Sequence, residues 1–124
     1  MARILVVDDE DDMRSTFSLI LEGEGYNVIL APDGKTAIEK MKEEDIDVVL
    51  LDIRMPEMDG IEVLRRIKEI NPIIPVIMIT GYGNVETAVE SMKLGAFDYI
   101  SKPFDNEKLF EIIKKAIQAK LIQE

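Results

Sequence analysis

Apolar residues fall along this chain in two alternating rhythms, short unbroken runs and longer stretches with helical spacing, and the alternation repeats five times. Ile4–Val7 is the first run, rich in β-branched residues. Between Asp11 and Glu24, Met13, Phe17, Ile20 and Leu21 recur at i, i+4, i+7 and i+8, which predicts a helix. Gly25 is placed to end it. Asn27–Ala31 reads as a second short strand, and Pro32-Asp33-Gly34 as a turn into a helix with Ala37, Ile38 and Met41 on one face. The third strand, Val48-Val49-Leu50-Leu51, ends at Asp52. Met55-Pro56-Glu57-Met58-Asp59-Gly60 follows as a loop, and Ile61, Leu64 and Ile67 mark the third helix. Pro75–Thr80 is the fourth strand. Val85, Ala88, Val89 and Met92 mark a fourth helix over Asn84–Leu94, closed by Gly95. Phe97–Ser101 is the last strand, and Leu109, Ile112, Ala116 and Ile117 mark the last helix.

Repeated strand–helix units predict an α/β fold, a parallel sheet with helices on both faces and right-handed crossovers. Strands one, three and four are almost wholly apolar, as central strands are. The second begins with a polar residue, Asn27, and is expected at an edge. No repeat or linker interrupts the pattern, and the joints are too short for a second domain. Residues 1–124 are therefore expected to form a single domain.

Open α/β sheets place their sites at the carboxyl ends of the strands, near the point where strand order reverses. Those ends here carry Asp8 and Asp9, then Asp52, then Thr80 and Gly81, then Ser101, Lys102 and Pro103. Each has an ordinary structural explanation alone: an Asp in a turn, a Thr with strand propensity, a solvated Lys. Their coincidence at four separate strand ends does not. Clustered carboxylates repel one another, and a hard divalent cation removes the conflict. Mg²⁺ (or Mn²⁺) suits such donors, keeps waters and accepts a phosphate oxygen.

Composition narrows the chemistry further. The chain has no histidine and no cysteine, which excludes imidazole catalysis, thiolate sites and disulfides. The remaining nucleophiles are carboxylate, hydroxyl and amine. A carboxylate can attack phosphorus to give an aspartyl phosphate, a transfer that needs positioning and charge neutralisation above all. Asp52 is the best candidate: it is single, ends a central strand and is followed by an open loop. Asp8 and Asp9, as a pair, suit the metal, while Lys102 and Thr80 suit phosphoryl oxygens. A formal net charge of −10, with five acidic residues over Asp8–Asp12, disfavours direct nucleic-acid binding. No apolar run spans a bilayer and the N-terminus is no signal peptide, so a cytoplasmic protein that does not engage membranes is expected.

These residues resemble the receiver domain of two-component response regulators over nearly the whole chain, from Arg3 to about Leu121. The likeness rests on Val6-Val7-Asp8-Asp9-Glu10, on Leu51 through Gly60, on Ile79-Thr80-Gly81-Tyr82-Gly83 and on Ser101-Lys102-Pro103-Phe104. Over Thr80–Phe104 it looks most like receivers of the nitrogen-regulation class, whose full-length members add output domains; residues 1–124 are expected to hold the receiver alone, as a stand-alone protein or as a domain excised from such a regulator. It is also similar to stand-alone relay receivers. The resemblance implies a flavodoxin-like (βα)5 sandwich with strand order 2-1-3-4-5. It implies that Asp52 is the phosphoacceptor, that Asp9 binds Mg²⁺ directly and Asp8 directly or through water, and that Asp52 and the Arg54 backbone carbonyl complete the ligands. Lys102 is then expected to contact the phosphoryl group and to precede a cis proline. Thr80 and Tyr99 become the switch residues that alter the face of the fourth helix, fifth strand and fifth helix. Gly81 and Gly83 suggest a mobile entry to the fourth helix. Arg54 and Tyr82 flank the path of hydrolytic water.

The partners so implied are a histidine kinase or phosphotransfer protein and a downstream effector or output domain. The first helix, including Met13 and Thr16, and the loop near Phe104 are candidate contact surfaces. The domain is expected to act on itself rather than turn over a substrate. Two rivals exist. A small Mg²⁺-dependent phosphatase with an aspartyl nucleophile wants a second Asp where Arg54 stands. A flavin module wants a hydroxyl- and glycine-rich loop where the acidic run stands.

Overall fold

Strand and helix alternate through the computed structural model, which describes residues 2–54, 59–81 and 85–123. Of the expected loop Met55–Gly60, residues 55–58 lie outside the described residues, as do Tyr82, Gly83 and Asn84, and Gly60 belongs to the third helix. The strands are β1 (Arg3–Val7), β2 (Asn27–Ala31), β3 (Val48–Asp52), β4 (Val76–Thr80) and β5 (Asp98–Ser101). The helices are α1 (Asp11–Gly23), α2 (Gly34–Glu43), α3 (Gly60–Ile70), α4 (Val85–Lys93) and α5 (Asn106–Gln123). All pairings are parallel and the order is β2-β1-β3-β4-β5, as the resemblance implies.

The two sides of the sheet follow from strand alternation. Leu5, Val7, Val49, Leu51, Val76 and Met78 face α2 and α3, where Ala37, Met41, Val63, Leu64 and Ile67 complete one core. Ile4, Val6, Val48, Leu50, Ile77 and Ile79 face α1 and α5, against Phe17, Leu21, Leu109 and Ile113. Every residue of β3 and β4 is buried, while β2 at the edge is largely half-buried or exposed. That is the burial expected of central and edge strands.

Local sequence sets the helix ends. Asp33 and Asp59 cap α2 and α3, accepting from the backbone N–H of Thr36 and Glu62. Gly25 and Gly95 follow α1 and α4 with φ of +91° and +101°. Tyr26 N–H then reaches Leu21 O, and Ala96 N–H reaches Ser91 O, closing each helix with the same left-handed motif. Strand and helix bounds differ from the sequence expectation by a residue or two, notably at β5, which begins at Asp98. Phe97 instead donates its backbone N–H to Val76 O and packs on the α1–α5 core. At the amino-terminal edge of the sheet, Asp47 accepts from Arg3 N–H at 2.8 Å and pairs with Lys120 at 3.2 Å, tying the last turns of α5 to the start of β3.

Leu50, fully buried in the central strand, gives the direct test of this core. Leu50→Ala should lower stability by about 2–5 kcal/mol, read as a lower urea midpoint at unchanged slope.

Candidate functional site

Sheet register brings the candidate residues to one edge. β1 and β3 run on opposite sides of the point where strand order reverses, with Val7 opposite Leu51. The next residues, Asp8 and Asp52, therefore leave neighbouring strands side by side. Asp52 pairs with Ile79, and Thr80 with Ser101, so Thr80 and Lys102 step outward from Asp52 across β4 and β5.

Asp52 is buried at 6% exposure, and both its oxygens are engaged. Oδ1 accepts from Arg54 N–H at 3.0 Å, and the Lys102 ammonium lies 3.4 Å from Oδ2. Lys102 is held by its own backbone, whose N–H donates to Thr80 O at 2.8 Å, and the peptide to Pro103 is cis. Phe104 then stacks on buried Phe17 of α1, ring centroids 6.0 Å apart. Thr80 is buried, and its hydroxyl is within hydrogen-bond distance of Ser101 Oγ at 3.2 Å and Ile100 O at 3.4 Å. Tyr99 stands away from this group on β5, 40% exposed.

Asp8 is almost fully buried. Its N–H donates to Ala31 O of β2 at 3.1 Å and its Oδ1 accepts from Glu10 N–H at 2.9 Å. Its Oδ2 is buried and has no hydrogen-bond partner among the described residues. Burial raises its pKa from 3.8 to about 6; Glu10 N–H and Lys102 oppose this, and the charges of Asp52 and Asp9 add to it. Asp8, Asp9 and Glu10 bring carboxylate oxygens within 4.8 Å of one another. An orphaned buried oxygen beside two exposed carboxylates is a donor set that fits a hard divalent cation. Beyond Asp9, a cavity of about 650 Å³ is lined by Arg54, Asp59, Thr87 and Glu90.

The structure thus gathers Asp8, Asp9, Asp52, Thr80 and Lys102 at one edge and leaves Tyr99 outside. Met13 is half-buried on the α1–α5 core, and Thr16 returns its hydroxyl to Asp12 O at 2.9 Å within α1. Three residues were not singled out from sequence. Glu10 joins the acidic group. Arg14 reaches back to Asp8, and its spacing of three from Asp11 on α1 was the available signal. Gly60 begins α3 with its N–H on Ile53 O at 2.8 Å. A Cβ there would stand 2.7 Å from Asp52 O and 2.6 Å from Ile53 Cα, so glycine lets α3 close on the peptide that follows Asp52.

Comparison with known proteins points one way. The family described as response regulator receiver domain matches residues 4–114. The transcriptional regulatory protein ZraR of Escherichia coli K12 is 49% identical over 114 residues, covering 92% of this chain and 26% of ZraR. A receiver domain protein from Clostridium thermocellum superposes with a TM-score of 0.96 at 36% identity, covering both chains fully. NtrX from Brucella abortus gives 0.94 at 38% identity, over 99% of this chain and 29% of its own. The chain spans about a quarter of the length of the curated relatives it matches.

Two expectations follow from the geometry. Because the folded protein holds the Asp8 proton more tightly than the unfolded chain does, this group's stabilising contribution is full below about pH 4 and gone above about pH 6. Ionised Asp8 then costs on the order of 3 kcal/mol. Asp8→Asn should stabilise the metal-free domain near pH 7.5 by on the order of 1–3 kcal/mol, with the gain fading as pH falls to about 4, read by chemical unfolding in chelator. Gly60→Ala should cost about 1–3 kcal/mol and displace the Ile53 amide resonance, because the clash is with backbone.

Proposed function

This chain belongs to the response regulator receiver domain family, and on that ground we propose that Asp52 is the phosphoacceptor of a phosphorylation-dependent switch in a two-component phosphorelay. The observation that carries the reading is the buried Asp52 carboxylate facing the Lys102 ammonium at 3.4 Å, beside the Thr80 hydroxyl. Receiver domains are generally not turnover enzymes, and this one is read as acting on itself alone. Arg54 stands where an aspartyl phosphatase wants its second Asp, and nothing in the site favours that alternative.

A histidine kinase or phosphotransfer protein presents a phosphohistidine to the strand-end edge. Asp52 Oδ2 forms the new P–O bond as the P–N bond breaks; the imidazole leaves with the bonding pair and takes up a proton. Arg54 N–H holds Oδ1 throughout, which fixes the direction of the attacking oxygen. Asp9, Asp8 (directly or through water), Asp52 and the Arg54 carbonyl would hold Mg²⁺ or Mn²⁺, with Glu10 at the rim. The ion supplies charge neutralisation to the phosphoryl oxygens. Lys102 moves from carboxylate to phosphoryl oxygen. Thr80 turns its hydroxyl from Ser101 towards the same group.

The vacated space beside Thr80 lets Tyr99 repack, and the face formed by α4, β5 and α5 shifts between two states. A downstream effector or output domain reads that face. Among the described residues no helix is long and apolar enough to cross a membrane. With a net charge of −10 the domain is proposed not to bind nucleic acid itself, and on the family likeness it is proposed to work in the cytoplasm without engaging membranes. The α1 surface and Phe104 region are the proposed kinase-facing side, and Arg54 with Tyr82 the residues that govern hydrolysis.

Incubation with a small phosphodonor and Mg²⁺ should add one phosphoryl mass to the intact protein. The addition should vanish in Asp52→Ala and under chelation. An unaltered gain in Asp52→Ala, or no gain in the parent chain, would overturn the mechanism.

A further inference from the structure

Arg14 has a place in this site that the phosphoacceptor reading does not use. It lies in the first turns of α1, and its side chain is only 15% exposed although it carries a full charge. Its Nη1 donates to the backbone carbonyl of Asp8 at 2.7 Å, and its Nη2 pairs with the exposed Asp11 carboxylate. The rigid guanidinium fork serves both acceptors at once, which a lysine ammonium on its flexible stem does less well.

Asp8 has four polar groups, and three of them are fixed from different directions. Its N–H is fixed by β2, its Oδ1 by the turn at Glu10, and its carbonyl by Arg14. The fourth, Oδ2, is the buried oxygen that has no partner among the described residues. The Asp8 carbonyl also belongs to the planar peptide that leads into Asp9. Holding that carbonyl therefore sets the plane from which the Asp9 side chain departs, as well as the orientation of Asp8.

We infer that Arg14 is a positioning residue for a divalent-cation site at Asp8 and Asp9, acting through the Asp8 backbone carbonyl. The inference rests on the reading that this acidic group holds a divalent cation. Its sign is distinctive. A guanidinium near a cation repels it, so on charge alone the loss of Arg14 would tighten metal binding. Positioning demands the reverse: without the tether the two carboxylates lose their common aim and binding weakens.

The test is titration of the whole chain with Mn²⁺, following free ion by electron paramagnetic resonance. Parent, Arg14→Met and Arg14→Lys are compared, alongside thermal melting of each in chelator. The parent should bind Mn²⁺ saturably. Arg14→Met should bind about tenfold or more weakly, Arg14→Lys should fall between the two, and melting in chelator should stay close to the parent's. Equal or tighter binding by Arg14→Met overturns the inference, as does an affinity loss that merely tracks lost folding. If Arg14→Met fails to fold, Arg14→Lys decides, and parent-like affinity there overturns it. No saturable binding by the parent removes the cation reading itself, and this inference with it.

Discussion

Two carboxylates, Asp8 and Asp52, leave adjacent central strands side by side and are both buried. Like charges in that position are a standing electrostatic cost, and much of the local structure can be understood as its management. Lys102 crosses from β5 to within 3.4 Å of Asp52. Backbone N–H groups of Glu10 and Arg54 each cap one oxygen of the pair. What these partners leave uncompensated is concentrated on Asp8, whose remaining oxygen is orphaned and whose proton is held to about pH 6.

An edge so arranged is poised rather than relaxed. Under the proposed reading, the Lys102 ammonium that faces Asp52 would also serve a phosphoryl oxygen. Thr80, at the end of the neighbouring strand β4, is not a partner of Asp52. Its hydroxyl is buried and engaged by long contacts to Ser101 and Ile100, which cost little to exchange. The stability of the domain rests elsewhere, in the two apolar layers on either side of β3 and β4. That separation allows crowded, buried carboxylates to exist at the edge of a firm sheet.

The edge also depends on features with no chemistry of their own. Gly60 is needed because α3 must start against the backbone that follows Asp52. Phe104 leans on Phe17, which joins the segment after Lys102 to α1. Both contacts link elements far apart in sequence, so the strand ends are braced from two helices as well as by their own register.

Much of this was legible in the chain itself. The apolar runs and helical spacing gave ten elements and their order, because burial on both faces of a parallel sheet leaves an unbroken apolar signature. The placement of Asp8, Asp9, Asp52, Thr80 and Lys102 at one edge of the sheet was legible because a strand end is a position that sequence marks directly. Strand order came from the family likeness, and register fixed which ends are neighbours. What sequence did not determine was anything set by approach in space: the orphaned Asp8 oxygen, the reach of Arg14 to a backbone carbonyl, the absent Cβ of Gly60, and the exposure of Tyr99. A backbone carbonyl has no letter in the sequence, and a packing distance has no period along it. Those features exist only once the helices have docked on the sheet.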